Sequence, residues 1–560
     1  MTNYIRDAGN SSTNFSFGIA DAASSNLVVT HDGYIAGVTG NGVEFSGGGT
    51  ILLAGLISVS GSGIQMTGQS LVQLTSTGSI TGTYGIHLLG SGDQTIINNG
   101  TILGTAFGIH AEFSNSNTFV NAAGGSLYGH YQGGNGSDTL RNAGLVAGDL
   151  FLSSGTNVVV NSGIIHGIIN MDGGSIVNSG TIETNDGINF GSLTGFLTNV
   201  INGHIVADFE ANGGGSLNVD NTGTINGNFN LSSTLAFMNA GLIVGNVNNE
   251  EGGPANFENR GTIVGYVTLS DETNNITNTG VITQSITTGS GNDSIVNDGS
   301  VGGRIEVGAG NDTVACGNGN DNVEGGAGLD DVDLGGGNDV FIASFADGND
   351  DVQGGSGIDT YTAAAATAAV VINLDDEFAF GSNIGSDTIT GFENAIGGSG
   401  VDSITGTVAA NTLRGGGGGD ALNGAAGNDV LFGNAGADTL VGGTGRDILY
   451  GGGADAALDR FDFNAIAESG LTAATRDFIV DFQDSQDRID VNTIDANSSV
   501  VGNQNFTAVV AAFTVAGAQI KVTTVSGNRL VEFNTDNDVA AEFSILVKGL
   551  PVLTLADFIL

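Results

Sequence analysis

The chain has one cysteine, two prolines, no tryptophan and only 12 basic residues among 560. Each scarcity excludes something. A single cysteine, Cys316, cannot close an internal disulfide, and it reads as a small buried apolar residue. Twelve lysines and arginines against 58 acids give a net charge of −46, so phosphate-rich nucleic acid is not a partner. Residues 1–285 contain no lysine, and their only arginines are Arg6, Arg141 and Arg260. The opening Met1-Thr-Asn-Tyr-Ile-Arg-Asp-Ala-Gly-Asn10 has no apolar run and reads as lacking an N-terminal secretory signal. No later stretch is apolar enough to span a membrane. The six histidines, His31, His87, His110, His130, His166 and His204, nowhere form His-Glu-x-x-His, and Gly-x-Ser-x-Gly does not occur. These histidines and the tyrosines are expected at the surface or at corners.

Glycine is plentiful, with 97 residues, yet the 40% hydrophobic content is too high for a flexible glycine polymer. The length suits three or four domains. Charge is uneven along it: residues 1–285 carry 19 acids and 3 bases, 286–455 carry 25 and 3, and 456–560 carry 14 and 6. The acid density peaks in the middle, where metal cations are the natural counter-ions.

Glycines at 33, 55, 78, 100, 125, 144, 163, 180, 203, 223, 241, 261, 280 and 299 recur at 17–25-residue spacing. Two places after each stands Ile35, Ile57, Ile80, Ile102, Leu127, Val146, Ile165, Ile182, Ile205, Ile225, Ile243, Ile263, Ile282 or Val301. From Gly163 most units begin Asn-x-Gly-x-Ile/Val, as in Asn178-Ser-Gly-Thr-Ile182. A repeat of about 20 residues suits one coil of a right-handed parallel β-helix, with the aliphatic column stacked inward. The recurring asparagine is expected to stack too, its amide bonding to the next coil or accepting an αL corner. A β-sandwich is the rival architecture.

The middle of the chain keeps a shorter frame. Gly424-Ala-Ala-Gly-Asn-Asp429, Gly433-Asn-Ala-Gly-Ala-Asp438 and Gly442-Gly-Thr-Gly-Arg-Asp447 place one aspartate every nine residues. Asp293, Asp312, Asp321, Asp330, Asp339, Asp350, Asp359, Asp402 and Asp420 continue it upstream, in two blocks at 289–361 and 397–453. Two places after the aspartate stands an apolar residue, as at Val314, Val323, Val332, Phe341, Leu422, Leu431, Leu440 and Leu449. A solvated linker would keep no such frame. In a parallel β-roll two nonapeptides complete a coil, so aspartates 18 apart stack. Two bare carboxylates about 4.8 Å apart repel by about 0.9 kcal/mol even in water. Calcium, which takes 6–8 hard oxygen ligands in flexible geometry, resolves the repulsion. The aspartates would supply some ligands and loop carbonyls the rest. Gly310, Gly319, Gly328, Gly357, Gly427, Gly436 and Gly445 would bring those carbonyls close. Asn411 replaces an aspartate, Gly417–Gly419 is looser, and the Asp339-to-Asp350 step is eleven residues, so these units are degraded.

These repeats resemble the repeats-in-toxin (RTX) family of secreted bacterial proteins, which implies several bound Ca2+ ions and folding that depends on them. Between the blocks, 362–396 is a spacer in which Val370-Val-Ile-Asn-Leu374 reads as a strand. Phe461-Asp-Phe463, Arg476-Asp-Phe-Ile-Val-Asp-Phe482 and Asp487-Arg-Ile-Asp490 resemble the C-terminal domain of serralysin-type metalloproteases. That resemblance covers about 456–560 and implies that the ending Asp557-Phe-Ile-Leu560 belongs to an uncleaved signal read by a type I secretion apparatus. The protease domain itself is absent.

The expectation is therefore an all-β chain: a parallel β-helix over 1–285, a calcium β-roll over 286–455 and a β-rich secretion domain over 456–560. A secreted structural or adhesive role follows, with cell-surface glycans or self-association as partners. A polysaccharide lyase or epimerase on the β-helix would need Lys, Arg or Tyr as base and cations to hold a uronate, which the first 285 residues hardly offer. A glycosidase needs only two carboxyls, and Glu183, Asp186, Asp208 and Glu210 lie on neighbouring coils. They equally suit a solvated face.

Overall fold

A computed structural model describes residues 2–6, 12–13, 17–19, 25–45, 48–113, 115–212, 214–453, 457–515 and 517–560. Part of the opening decapeptide thus lies outside the described residues. The chain is all-β and coils as a β-solenoid with about 21 turns in all. It divides into two compact units. Unit 1 is Met1–Ser290 with Gly299–Gly303, and unit 2 is Gly291–Asp298 with Arg304–Leu560.

In unit 1 a typical coil makes three short strands, such as Thr139–Asn142, Leu145–Ala147 and Leu150–Leu152. Each pairs in parallel with its counterpart one coil on. The aliphatic residues two places after the repeat glycines align directly, Val146 on Ile165, Ile165 on Ile182, Ile182 on Ile205 and Ile205 on Ile225. All fourteen are buried, from Ile35 at 0% exposed to Val301 at 8%. The buried column alternates with outward-facing neighbours because successive strand residues face opposite sides, and only one side is core.

From Gly100 to Gly280 an asparagine two or four places before the repeat glycine is also interior. Asn98, Asn121, Asn142, Asn161, Asn178, Asn199, Asn221, Asn239, Asn259 and Asn278 are buried, and in the nine successive pairs the Nδ2 of one donates to the Oδ1 of the next at 2.7–2.9 Å. The same amides reach backbone carbonyls, for example Asn161 Nδ2 to Thr181 O at 2.9 Å. An amide has donor and acceptor in one plane, so each member of the stack meets the next with one N–H and has the other for a backbone carbonyl. Replacing one member strands a donor below and an acceptor above. For Asn199→Ala we expect a loss of about 2–4 kcal/mol from two stranded groups. The exposed Asn226→Ala should stay within about 0.5 kcal/mol. Urea midpoints followed by circular dichroism separate the two; equal midpoints would contradict a structural ladder.

Unit 2 winds tighter. Val323, Phe341, Tyr361, Ala395, Leu413, Leu431, Leu449 and Ile479 align strand on strand in one column. Ile372, Ile404, Leu422, Leu440, Phe461 and Ile489 form another. The expected spacer strand is Val370–Asn373, which turns back antiparallel onto Phe378–Gly381. Further on, Gln519–Val525, Asn528–Asn534 and Phe543–Val547 form an antiparallel sheet, and Phe543–Val547 continues the stack by pairing in parallel with Asp477–Ile479. Phe506, Phe533, Phe543 and Phe558 pack together there, with Phe533 and Phe543 stacked at 4.2 Å. Phe558–Ile559 pairs with Arg488–Asp490, and Asp557 closes a capping box with Thr554.

Not every histidine and tyrosine lies at the surface. His87, Tyr131 and Tyr361 are buried, each covered by the coils above and below it. Cys316 is buried as expected, and its strand partner is Asn297. A thiol cannot accept and donate as an amide does, and Asn297 Nδ2 turns instead to Asp321 Oδ1 at 3.0 Å.

Candidate metal centre

The nonapeptide turns of unit 2 stack as their spacing requires. Ala309–Gly310 pairs with Ala327–Gly328, Gly336–Gly337 with Ser356–Gly357, and Ala426–Gly427 with Thr444–Gly445. Gly427 and Gly445 show why no other residue serves. Both have positive φ, 130° and 148°, and a Cβ on Gly445 would collide with the Gly427 carbonyl. Gly310, Gly319, Gly328, Gly357 and Gly436 share the left-handed backbone.

The aspartates then hang from the backbone of the coil before them, except Asp321, which accepts from the Asn297 amide. Asp293 N–H donates to Asp312 Oδ1 at 2.7 Å, Asp312 to Asp330 at 2.8 Å, and Asp330 to Asp350 at 2.9 Å. A second column runs Asp321, Asp339, Asp359 with bonds of 2.8 Å. In the second block Asp402 leads to Asp420 and Asp438, while Asn411 leads to Asp429 and Asp447. The degraded unit at Asn411 therefore keeps its place in the ladder.

That bond uses one oxygen. The second is buried without a hydrogen-bond partner on Asp312, Asp321, Asp330, Asp339, Asp350, Asp359, Asp420, Asp429 and Asp447. A buried carboxylate oxygen with no donor is costly unless a cation meets it. The protein supplies none: the ion pairs of unit 2 among the described residues are those of Arg304, Arg460 and Lys521, and none reaches these nine. Glycine keeps the space open, since a Cβ on Gly424, Gly433 or Gly442 would strike the carboxylate five residues on. Carboxylate and carbonyl oxygens without nitrogen or sulfur are a donor set for a hard cation, and calcium fits it. Asp402 differs, because its Oδ2 already accepts from Gly398 N–H at 2.7 Å and its Oδ1 from Val370 N–H at 2.8 Å.

Burial pushes the carboxyls up, only partly opposed by the backbone N–H each accepts where one is present. Asp312, Asp350, Asp420 and Asp429 reach about 7, and Asp321, Asp330 and Asp447 about 6. Neighbouring carboxylates add to the rise for Asp312, Asp350, Asp420, Asp429 and Asp321.

The columns extend past the residues the nine-residue frame identifies. Asp350 N–H donates to Asp387, Asp359 to Glu393, Asp438 to Asp459, Asp459 to Asp487 and Asp447 to Asp477. Insertions hide them, with steps of up to 37 residues. One signal survives the insertions: Asp387, Asp459, Asp477 and Asp487 each stand two places before Ile389, Phe461, Ile479 and Ile489. Where the frame slips at Asp350, carboxylate oxygens of Asp347, Asp350 and Asp387 gather within 4.8 Å of one another. Burial and the two neighbouring acids push Asp347 up to about 9, while Tyr361 donates its hydroxyl to Asp387.

Of the four acids of unit 1 named above, two share a groove. Glu183 and Asp186 line one groove with Asp149 and His166, and Glu210 lines another with Phe151, Met171 and Phe190. Asp208 accepts from the Asn228 backbone at 2.7 Å.

Residues 306–341 match the family model of the RTX calcium-binding nonapeptide repeat (4 copies), and residues 354–560 match that of the peptidase M10 serralysin C terminal. Among solved structures the chain is similar to the AlgE6R3 subunit of the Azotobacter vinelandii mannuronan C5-epimerase, at 27% identity over 28% of this chain and 76% of that one, with a TM-score of 0.16. No curated protein matches. The repeats bind calcium, and no protease domain is evident beside the serralysin-type region.

Proposed function

We propose that the chain is a secreted, calcium-dependent structural or adhesive protein of a bacterial surface or matrix. Residues 1–285 would be the presented rod and 286–455 the calcium roll, with blocks 289–361 and 397–453 about the spacer 362–396. Residues 456–560 would carry the type I export signal. The nonapeptides and the serralysin-type region support secretion, and no helix among the described residues is long and apolar enough to cross a membrane.

One observation carries the structural reading: the rod has almost no cationic side chain. Of Arg6, Arg141 and Arg260, the last is already paired with Glu258. Chemistry on an anionic glycan needs a cation to hold the carboxylate and a base beside it. The second reading, a carbohydrate-active enzyme, is favoured by a groove of about 440 Å3 lined by Phe196, Asn218, Asp220, Met238 and Glu258. An exposed aromatic ring beside half-buried carboxylates suits a sugar. Incubating the calcium-loaded chain with alginate, pectin and related glycans decides between them. We expect retention on a glycan or on cells in co-sedimentation, with no new unsaturated or reducing ends. Either product would reject the structural role.

A further inference from the structure

Unit 1 holds one loop built like those of the ladder. Gly133-Gly-Asn-Gly-Ser-Asp138-Thr-Leu140 has the same spacing as Gly442-Gly-Thr-Gly-Arg-Asp447-Ile-Leu449, and Leu140 is fully buried. It is a single copy, joining Ser126–Gln132 to Thr139–Asn142. Asn117 N–H donates to Asp138 Oδ1 at 2.8 Å, and Asp138 N–H donates to Asn157 Oδ1 at 2.9 Å. This is the coil-to-coil bond of the aspartate columns, made here by one carboxylate among amides.

The amides show what the carboxylate lacks. Asn157 Nδ2 donates to the carbonyl four residues back, Ser153, at 2.7 Å, and Asn274 does the same to Ser270 at 2.9 Å. Aspartate has no donor, so at 138 the same corner turns acceptor toward acceptor. Asp138 is 0% exposed, and its Oδ2 has no hydrogen-bond partner. Asn117 also turns its side-chain amide toward this carboxylate, favouring the charged form, while its own Oδ1 is likewise buried and unpartnered. Glycine again holds the space open: a Cβ on Gly133 would strike Asp138 Oδ2, and on Gly136 the Asn115 carbonyl. No protein cation answers the charge. The ion pairs of unit 1 among the described residues are those of His31, His87, His130, His166 and Arg260, while Asp93 adds a second negative charge nearby.

We propose that Asp138 is the anchor of an isolated calcium site within unit 1, completed by Asn117 Oδ1 and loop carbonyls of adjoining coils. An ion there pins the turns at 115–117 and 133–138 to each other. Calcium then sets the rod at one point as well as the roll, independently of what the rod binds.

The test uses the full chain. Tyr131 is fully buried, and Asp138 is the charged group acting on it, so this tyrosine is placed to sensitise a terbium ion bound at the carboxylate. Asp138→Asn should fold, because Asn157 and Asn274 occupy the equivalent corner in other coils. We expect it to bind one calcium fewer per chain in equilibrium dialysis. Tyrosine-excited terbium emission should fall equally in Asp138→Asn and Tyr131→Phe. Asn117→Ala keeps the carboxylate and removes one ligand oxygen, and it should weaken a single site roughly tenfold. It decides the matter if Asp138→Asn misfolds. An unchanged ion count in Asp138→Asn, or in its place unchanged affinity in Asn117→Ala, overturns the site. The calcium-induced circular dichroism change of unit 2 should be the same in all variants, which separates this site from the ladder.

Discussion

Stripped of calcium, the full chain loses the β-sheet signal of unit 2 while the asparagine-laddered coils of unit 1 keep theirs. The contrast follows from what fills each column. In unit 1 the stacked groups are amides, and each Nδ2 finds the next Oδ1 at 2.7–2.9 Å. In unit 2 they are carboxylates; nine of them have one oxygen held by a backbone N–H, or at Asp321 by the Asn297 amide, and the other buried with no partner. Aligning like charges about 4.8 Å apart in a partly dry site costs more than the 0.9 kcal/mol of water. Calcium removes the repulsion and adds its own linkage, about 2.7 kcal/mol per site when free ion exceeds Kd a hundredfold. Several such sites outweigh the 5–15 kcal/mol or so by which a typical domain is stable. Circular dichroism and limited proteolysis in millimolar calcium and in chelator read the result. Sheet content and protease resistance in 304–560 that ignore the chelator would end the calcium-dependent reading.

Much of this architecture is legible in the sequence because solenoids write their contacts locally. A coil of about 20 residues repeats its corner asparagine and its inward isoleucine, so Asn178 and Ile182 announce their neighbours Asn199 and Ile205 by spacing alone. The nine-residue frame does the same for Asp429 and Asp447. Legibility fails where the spacing breaks but the stacking does not. Asp387, Asp459, Asp477 and Asp487 join the columns across insertions, and no period could find them. Asp347 enters a carboxylate cluster through a turn at Ala346, whose φ is 64°. Asp402 keeps the frame yet satisfies itself with Gly398 and Val370. His87 and Tyr131 look like lone surface residues along the chain, since their cover comes from other coils. The Gly133–Asp138 loop was obscured differently: it sits inside the longer repeat, whose other corners carry amides.

Protons and calcium compete for the same carboxylates, and this sets a pH dependence of opposite sign with and without the ion. Burial raises Asp312, Asp350, Asp420 and Asp429 to about 7, and Asp477 to about 8, from an unfolded value near 3.8. Between those values the folded, metal-free roll holds more protons than the unfolded chain. Its stability therefore falls as pH rises from about 4 to about 8, and the contribution is fully present only below the unfolded value. In calcium-depleted buffer we expect unit 2 to show more sheet and a higher urea midpoint at pH 5 than at pH 8. With calcium the order reverses. Binding requires the ionised form, so each ion displaces protons, and affinity drops up to about tenfold per pH unit for every proton displaced. Titration calorimetry in two buffers of different ionisation heat should show that release at pH 6 and little at pH 9. A metal-free chain most stable at pH 8, or calcium binding with no proton release at pH 6, would mean that these carboxylates are not buried together as the columns require.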